Sequence, residues 1–153
     1  MKAAVIGAGF VGRAHIEALR RLGIEIGGLL GSSPERTQQQ CSGLGIARGY
    51  SSMEELAGDA SVGAVHVCTP NHLHFAEARA ALEANKHVLC EKPLATSAED
   101  ARRMVAQARE MRRVLFPCHN YKHAPVIKAV RQILDAGLLG KVQLVTLQTT
   151  WVR

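Results

Sequence analysis

Apolar residues along the chain form short runs that alternate with longer segments in which they recur every three or four positions. The short runs predict strands, and two of them lack strict alternation, which is typical of strands covered on both faces. We predict strands over residues 2–6, 24–30, 46–49, 62–68, 87–90, 114–118 and 142–150. The longer segments predict helices over residues 10–22, 34–41, 52–56, 71–85, 98–113 and 125–136.

Residues at the segment ends support these helices. Ser33 followed by Pro34 is typical of an N-cap and a first helical position, and Ser97 with Asp100 comes close to a capping box. Strands that alternate with helices of this length form βαβ units with right-handed crossovers. We therefore predict an α/β fold, a doubly wound parallel sheet (Rossmann fold), whose ligands bind at the carboxyl ends of the strands.

The composition of the 153 residues, 47% hydrophobic and 21% charged, excludes disordered proteins and small disulfide-stapled proteins. No apolar stretch reaches the ~18 residues of a membrane span, and the N-terminal run lacks the length and cleavage site of a signal peptide. We therefore expect a cytoplasmic protein. The chain carries 19 Lys and Arg against 13 Asp and Glu, a net charge of +6.

This positive surplus suits an anionic partner, which is nucleic acid, a membrane surface or a phosphorylated cofactor. Much of it falls in the predicted helix 98–113, where a solvated helix face explains it. An aromatic content of 4% offers little for base stacking. We therefore expect a phosphorylated cofactor, with neither nucleic acid nor a membrane as a partner.

The segment Gly7-Ala8-Gly9-Phe10-Val11-Gly12 directly follows the first predicted strand and opens the first predicted helix. In that context a G-x-G-x-x-G pattern is typical of dinucleotide binding. Gly7 allows a tight turn, Gly9 lets the backbone approach a pyrophosphate, and Gly12 permits close packing of helix on strand. We assign Gly7, Gly9, Phe10, Val11 and Gly12 to cofactor binding at the positive end of the helix. A purely structural glycine turn is the alternative.

The residue that holds the adenosine ribose is expected about 20 positions further on, at the end of the second strand. That position falls on Gly31, and no carboxylate occupies the strand end. Because an acid there repels a 2′-phosphate, its absence favours NADP, with Ser32, Ser33 and Arg36 as cofactor contacts. Arg36 is equally compatible with a solvated helix position, so the expected cofactor is NADP or NAD.

A polar segment, Cys68-Thr69-Pro70-Asn71-His72-Leu73-His74, begins at the carboxyl end of the fourth strand. It faces the same crevice as the glycine motif, because the carboxyl ends of parallel strands share one edge of the sheet. We expect its cofactor contacts to be Thr69, Pro70, Asn71 and His74.

Candidate metal ligands do not fall at metal-binding spacings. The four cysteines, at positions 41, 68, 90 and 118, form no C-x-x-C pair, which favours reduced thiols. The rings of His72 and His74 point in different directions when the pair opens a helix. His15 and His66 are expected to be packed or surface histidines. We predict no metal site.

The segment Cys90-Glu91-Lys92-Pro93-Leu94-Ala95 lies at the carboxyl end of the fifth strand. A lysine beside a nicotinamide can hydrogen-bond a substrate hydroxyl and assist proton movement, although a lone lysine is more often a surface cation. The combination of the glycine motif, Thr-Pro-Asn-His-x-His and Glu-Lys-Pro resembles the Gfo/Idh/MocA family of glucose–fructose oxidoreductases, inositol dehydrogenases and related sugar dehydrogenases. The resemblance covers nearly the whole chain.

The resemblance implies an NAD(P)-dependent oxidoreductase that transfers a hydride between a nicotinamide cofactor and a sugar or cyclitol hydroxyl or carbonyl. It implies that Lys92 is the catalytic lysine, placed by a cis Lys92–Pro93 bond, and that Glu91 is its neighbour at the nicotinamide ribose. Both residues are then cofactor contacts. Asn120 and Lys122, after the sixth strand, are similar to the family's segment that borders the substrate.

The same resemblance implies two domains, a Rossmann domain followed by an α/β domain on an open, mostly antiparallel sheet. We expect residues 1–140 to form the NAD(P)-binding domain and residues 141–153 to start a substrate domain that is truncated after its first strand. We expect such a chain to bind cofactor without turning over a sugar. Its last strand has an unpaired edge, and we expect a homo-oligomer. The alternative is a non-catalytic dinucleotide-binding or regulatory module.

Overall fold

The structure is a computed structural model that describes residues 1–148. The chain separates into two compact units, Met1–Cys118 and His119–Arg153. The domain boundary at residue 140 that we derive from the sequence stays a prediction. None of the helices within the described residues is long and apolar enough to cross a membrane.

The first unit is a six-stranded parallel sheet with the strand order β3-β2-β1-β4-β5-β6. Its strands are β1 (Lys2–Ile6), β2 (Ile26–Leu30), β3 (Gly49–Tyr50), β4 (Val62–Val67), β5 (His87–Glu91) and β6 (Leu115–Cys118). Its helices are α1 (Phe10–Arg21), α2 (Pro34–Leu44), α3 (Met53–Gly58), α4 (His74–Glu83) and α5 (Ala98–Glu110). The strand order reverses between β1 and β4, which is where doubly wound sheets bind their ligands. The predicted fold class is confirmed.

The core lies in two layers, because successive residues of a strand point to opposite faces of the sheet. Val5 packs with α1 and α2 in one layer, which also contains Ala3, Ile16, Leu19, Leu29 and Cys41. Ile6 faces the other layer, which also contains Tyr50, Leu56, Val65, Val67, Leu82 and Met104. Helices therefore cover both faces of the sheet, as the apolar character of the strands predicts.

The predicted helix caps are confirmed. Ser33 Oγ accepts the Arg36 backbone N–H at 3.3 Å, and Ser97 Oγ accepts the Asp100 backbone N–H at 3.0 Å while donating to the Asp100 carboxylate at 2.8 Å. Each cap satisfies an amide that has no partner within its helix.

Several predicted boundaries are wrong by two or three residues: β2 begins at Ile26 and not at 24, α2 ends at Leu44 and not at 41, and α5 ends at Glu110 and not at 113. Two further errors lie at the third strand and the fourth helix. The third strand lies at Gly49–Tyr50, where it pairs with Leu29–Leu30, and not at 46–49. The fourth helix begins at His74 and not at residue 71, because residues 71–73 form a turn. In that turn the Leu73 N–H donates to the Pro70 carbonyl at 2.9 Å.

The second unit contains a short 3₁₀ helix (Asn120–His123) and α6 (Pro125–Asp135). α6 ends before Gly137, whose φ of +68° breaks the right-handed helix. The strand predicted over 142–150 is wrong for residues 142–148, which have no regular secondary structure; Thr149 and Thr150 lie outside the described residues. A strand needs a hydrogen-bonded neighbour, and no strand pairs with 142–148 in the part of the chain that the structure describes.

Candidate active site

The turn between β1 and α1 is built from backbone in close contact. Gly7 has a φ of +83°, and a Cβ there would lie 2.9 Å from the Cys68 carbonyl oxygen. A Cβ on Gly12 would lie 1.9 Å from the Gly7 carbonyl oxygen. Only glycine fits at these two positions, so the first and third glycines of the motif bring α1 tightly against the sheet.

Gly9, by contrast, faces open space. No heavy atom of residues 1–148 lies within 4 Å of the position that its Cβ would take. Gly9 is the N-cap of α1, no side chain caps the helix, and its first turn contains no acidic residue. Phe10 and Val11 are exposed beside it. The amide groups and positive dipole end of α1 therefore face this open space with no anion of the protein's own in the first turn, an arrangement that suits a phosphate.

The polar groups at the end of β2 have more hydrogen-bond partners within the protein than the sequence predicts. The Gly31 N–H donates to Thr37 Oγ1 at 2.9 Å, and the Ser33 hydroxyl, besides capping α2, donates to the Glu35 carboxylate at 2.7 Å. That bond holds the pKa of Glu35 below its ordinary value, so an ionised carboxylate does lie beside this strand end. Ser32 is exposed.

Two arginines lie in the first turns of α1 and α2. Arg36 is exposed on the first turn of α2, and its guanidinium has no hydrogen-bond partner among residues 1–148. Arg36 and Arg13 of α1 line one surface depression. The sequence motif did not single out Arg13, because only the packing of α1 beside α2 brings the two side chains together.

The segment after β4 is held by side-chain hydrogen bonds. Thr69 Oγ1 donates to the Glu77 carboxylate of α4. Burial raises the pKa of Glu77 more than this bond and the nearby histidines lower it. Pro70 and Asn71 are exposed at the carboxyl edge of the sheet, as their predicted role requires.

His74 has a different place from the one we predict. Its side chain is buried, with 1% of its surface exposed. Its Nε2 lies 2.8 Å from the Thr69 carbonyl oxygen and its Nδ1 lies 2.8 Å from the Pro93 carbonyl oxygen. Both ring nitrogens are therefore engaged with backbone, so the geometry contradicts a direct cofactor contact. His74 instead ties the loop after β4 to the loop after β5.

Glu91 and Lys92 follow β5 at the same edge. The Lys92–Pro93 bond is cis, as the resemblance implies. Lys92 is exposed, and its ammonium has no hydrogen-bond or ion-pair partner in the described part of the chain. Its backbone N–H donates to Glu91 Oε2 at 3.1 Å. The structure thus leaves the lysine side chain available while fixing the backbone that carries it.

Three further side chains hold the Glu91 carboxylate and its surroundings. Oε1 lies 3.1 Å from His15 Nε2, Cys118 also hydrogen-bonds the carboxylate, and His15 Nδ1 lies 3.0 Å from His66 Nδ1. Burial pushes the pKa of Glu91 upwards, but the bonds from Cys118, His15 and the Lys92 N–H outweigh it and leave the pKa lowered. Glu91 is therefore ionised and fixed next to Lys92.

Burial and the neighbouring His15 lower the pKa of His66 to about 4, so His66 is neutral at pH 7. Burial, then the Glu91 carboxylate, raises the pKa of Cys118 to about 11. Sequence reasoning missed this network, since its members come from α1, β4, β5 and β6. The position of Cys118 at a strand end was the one available signal.

Asn120 and Lys122, the predicted substrate contacts, lie in the 3₁₀ helix of the second unit and are exposed. Their role stays a prediction.

A known protein family matches the part of the chain that contains these site residues. The model of the GFO/IDH/MocA oxidoreductase family, which describes an NAD-binding Rossmann fold, matches residues 1–119. The chain belongs to this family. It therefore carries an NAD-binding Rossmann domain, and the family resemblance of the three sequence motifs is confirmed.

Three relatives illustrate the range of the family. The 1,5-anhydro-D-fructose reductase of Ensifer adhaerens is 42% identical, over 90% of this chain and 41% of its own length. The myo-inositol 2-dehydrogenase of Thermotoga maritima is 31% identical, over 92% of this chain and 42% of its own. The WlbA dehydrogenase of Bordetella pertussis, solved in complex with NADH and UDP-GlcNAcA, is 28% identical with a TM-score of 0.85, covering 92% and 43%. The chain thus spans about two fifths of the length of these relatives.

The residues present fit a dinucleotide. Gly9 leaves open the space that a pyrophosphate needs, and the amino end of α1 is uncapped. The backbone contacts at Gly7 and Gly12 place that helix end directly above the sheet edge. Such a helix end binds anions through its amide groups and its dipole.

Proposed function

We propose that this chain is the cofactor-binding part of an NAD(P)-dependent oxidoreductase that acts on a sugar or cyclitol hydroxyl or carbonyl. The observation that carries the proposal is the free ammonium of Lys92 at the carboxyl end of β5, on the same sheet edge as the open glycine turn after β1. β4 separates these two strands, so the cofactor lies across its end. The names of the sugar and inositol relatives support the substrate class.

Each element has one task in this reaction. When bound, the nicotinamide cofactor supplies the hydride chemistry. The α1 amino end holds the pyrophosphate, Pro70 and Asn71 border the cofactor, and Glu91 is the ionised acceptor for its nicotinamide ribose. Lys92 hydrogen-bonds the reacting oxygen of the substrate and moves a proton at that atom. The family resemblance alone supports a substrate contact for Asn120 and Lys122.

We propose NADP as the preferred cofactor. Arg36 in the first turn of α2 and Arg13 in the first turn of α1 line one surface depression, and a guanidinium binds phosphate in a bidentate way. The Glu35 carboxylate opposes them, and its bond to Ser33 occupies that hydroxyl. The two guanidinium groups outnumber the single Glu35 carboxylate, so the net charge there is positive and favours the 2′-phosphate of NADP. We therefore expect a preference for NADP that depends on Arg13 and Arg36.

We further propose a cytoplasmic homo-oligomer that binds neither nucleic acid nor membrane. The four cysteines are free, which suits a reducing compartment. Val126, Ile127 and Val130 are exposed on α6, and such apolar surface favours association. Analytical ultracentrifugation of the chain tests the oligomer, and a monomer at all concentrations contradicts it.

Calorimetric titration of the chain with NAD and NADP tests cofactor binding. We expect saturable binding of both, with NADP the tighter ligand. Arg36→Gln is expected to weaken NADP roughly tenfold and to leave NAD within twofold, since only the 2′-phosphate uses the charge. Arg102→Gln removes an exposed arginine of α5 and is the matched control. Tighter binding of NAD by the unchanged chain contradicts the NADP assignment.

Turnover is tested with the complete product of the gene, NAD(P) and a panel of sugars and cyclitols, followed by the absorbance of reduced nicotinamide. Lys92→Met is expected to lower kcat ~10²–10⁴-fold, a loss much larger than the accompanying change in the dinucleotide Kd. Dinucleotide binding without any turnover would favour the non-catalytic module instead.

A further inference from the structure

Glu91 belongs to a set of metal-ligating side chains whose other members have no task in the proposed dehydrogenase reaction. His15, Glu91 and Cys118 each offer one ligand atom, and these atoms all lie within 4.8 Å of one another. They come from α1, β5 and β6. Glu91 and Cys118 are register partners in neighbouring parallel strands, so their side chains emerge on one face of the sheet.

The type of ligand points to a particular class of ion. Imidazole, carboxylate and thiolate together suit Zn²⁺, which accepts N, O and S ligands in a tetrahedral arrangement, whereas Mg²⁺ and Ca²⁺ bind oxygen. Three protein ligands leave a fourth position for water. All three side chains are partly exposed, so an ion can reach them from the carboxyl edge of the sheet.

A second residue orients the imidazole. A histidine that binds a metal through Nε2 carries its proton on Nδ1, and this N–H usually donates to a fixed acceptor. His15 Nδ1 lies 3.0 Å from His66 Nδ1. His66 accepts through that atom when its own proton is on Nε2. The pair therefore holds the ring of His15 with Nε2 towards Glu91.

We propose that His15 Nε2, a Glu91 carboxylate oxygen and Cys118 Sγ bind one Zn²⁺ ion, with water as the fourth ligand. The ion takes the place of the proton through which His15 bonds Glu91, and the His15 proton is then on Nδ1. The Cys118 thiol loses its proton to solvent and becomes a thiolate. One proton is thus released for each ion bound, and no oxidation or reduction takes place. The proposal gives Glu91 a second role beside the ribose contact proposed above, and its test uses neither the cofactor nor a substrate.

Co²⁺ is the probe, because it binds in the same tetrahedral geometry and its bond to a thiolate gives a charge-transfer band in the near ultraviolet. The metal-free chain is titrated with Co²⁺, and Zn²⁺ is then added to displace it. We expect saturation at one equivalent, a thiolate band, and full displacement by Zn²⁺. Failure to saturate at one equivalent overturns the proposal.

Variants assign the ligands. Cys118→Ser is expected to lose the thiolate band and to weaken Zn²⁺ binding at least tenfold. Cys68→Ala is the matched control, since Cys68 is the neighbouring thiol at the end of β4, and it is expected to keep both. A band that survives Cys118→Ser, or that disappears in Cys68→Ala, contradicts the site. Circular dichroism of each variant excludes loss of folding.

The orienting role of His66 has its own test. His66→Leu leaves all three ligands in place and removes only the acceptor behind His15. We expect the Zn²⁺ affinity to fall about 10–100-fold with the thiolate band retained. An affinity within threefold of the original shows that His66 does not orient His15, and that part of the proposal is then wrong.

Discussion

Two parts of the candidate site are held in opposite ways. The turn after β1 is fixed by backbone: a Cβ on Gly12 would lie 1.9 Å from the Gly7 carbonyl oxygen, while Gly9 faces open space. The loops after β4 and β5 are linked by a side chain, with the two ring nitrogens of His74 each 2.8 Å from a carbonyl oxygen of one loop. The turn after β1 depends on glycines that have no Cβ. The loops after β4 and β5 depend on hydrogen bonds between residues that are distant in the sequence.

The difference matters for how each part tolerates change. A steric contact between backbone atoms cannot relax without moving a helix, so the turn should fail completely or remain intact. A network of hydrogen bonds loses its members one at a time, and each loss costs the free energy of an unpaired polar group.

The largest expected effect is a difference in stability between alanine variants of Gly12 and Gly9. Gly12→Ala forces a methyl group against the Gly7 carbonyl, and we expect the free energy of unfolding in urea to fall by about 3 kcal/mol or more. Gly9→Ala is the matched control and should lower it by less than about 1 kcal/mol, the usual cost of alanine at an N-cap. Equal unfolding midpoints for the two variants would show that the turn can relax.

The next effect concerns the link between the loops. His74→Leu leaves the carbonyl groups of Thr69 and Pro93 without their partner, so we expect a loss of about 2 kcal/mol in urea unfolding. Amide hydrogen exchange in the loop after β5 should also become faster. His72→Leu changes an exposed neighbouring histidine and is expected to cost less than about 0.5 kcal/mol. No difference between the two variants would mean that other contacts hold these loops.

Binding gives the third test, at the open side of the turn. Gly9→Val places a branched side chain where the pyrophosphate must approach, and we expect the Kd for NAD and NADP to rise at least tenfold, or about 1.4 kcal/mol. Gly58→Val introduces the same side chain at the end of α3, where a Cβ also meets no atom of the described residues within 4 Å, and should leave the Kd unchanged. Calorimetric titration measures both. Undiminished affinity in Gly9→Val refutes the assignment of the turn.

The smallest effect concerns Glu77, whose pKa is raised mainly by burial. A carboxyl whose pKa is higher in the folded state makes folding less favourable as the pH rises through that range. Glu77→Gln should therefore raise the free energy of unfolding at pH 7, because the neutral amide carries no charge into the buried site. The gain should vanish at about pH 4. A loss of stability at pH 7 would instead show that the carboxylate is needed by its neighbours Thr69 and His74.

The boundaries that the sequence predicts correctly are those with local chemical causes. Ser33 and Ser97 cap their helices through atoms three residues away. Predictions fail where the cause is distant. The strand expected at 142–150 has the required alternation, but residues 142–148 have no neighbouring strand to pair with among the described residues.

The predicted site divides in the same way. The glycine motif and Lys92 lie where their motifs place them, because both sit next to strand ends. His74 was assigned to the cofactor, but it is buried between two loops. Ser33 was assigned to a phosphate, but its hydroxyl bonds Glu35 and caps α2.

The sequence by itself determined the doubly wound fold, the glycine turn and the position of the lysine, since each depends on residues close together in the chain. Only the tertiary structure decided the surroundings of Glu91. His15 and Cys118 reach its carboxylate from α1 and β6, His66 of β4 contacts His15, and no local spacing encodes such a meeting. The physical reason is that strand order and helix packing, which depend on the whole core, set which side chains share one sheet edge.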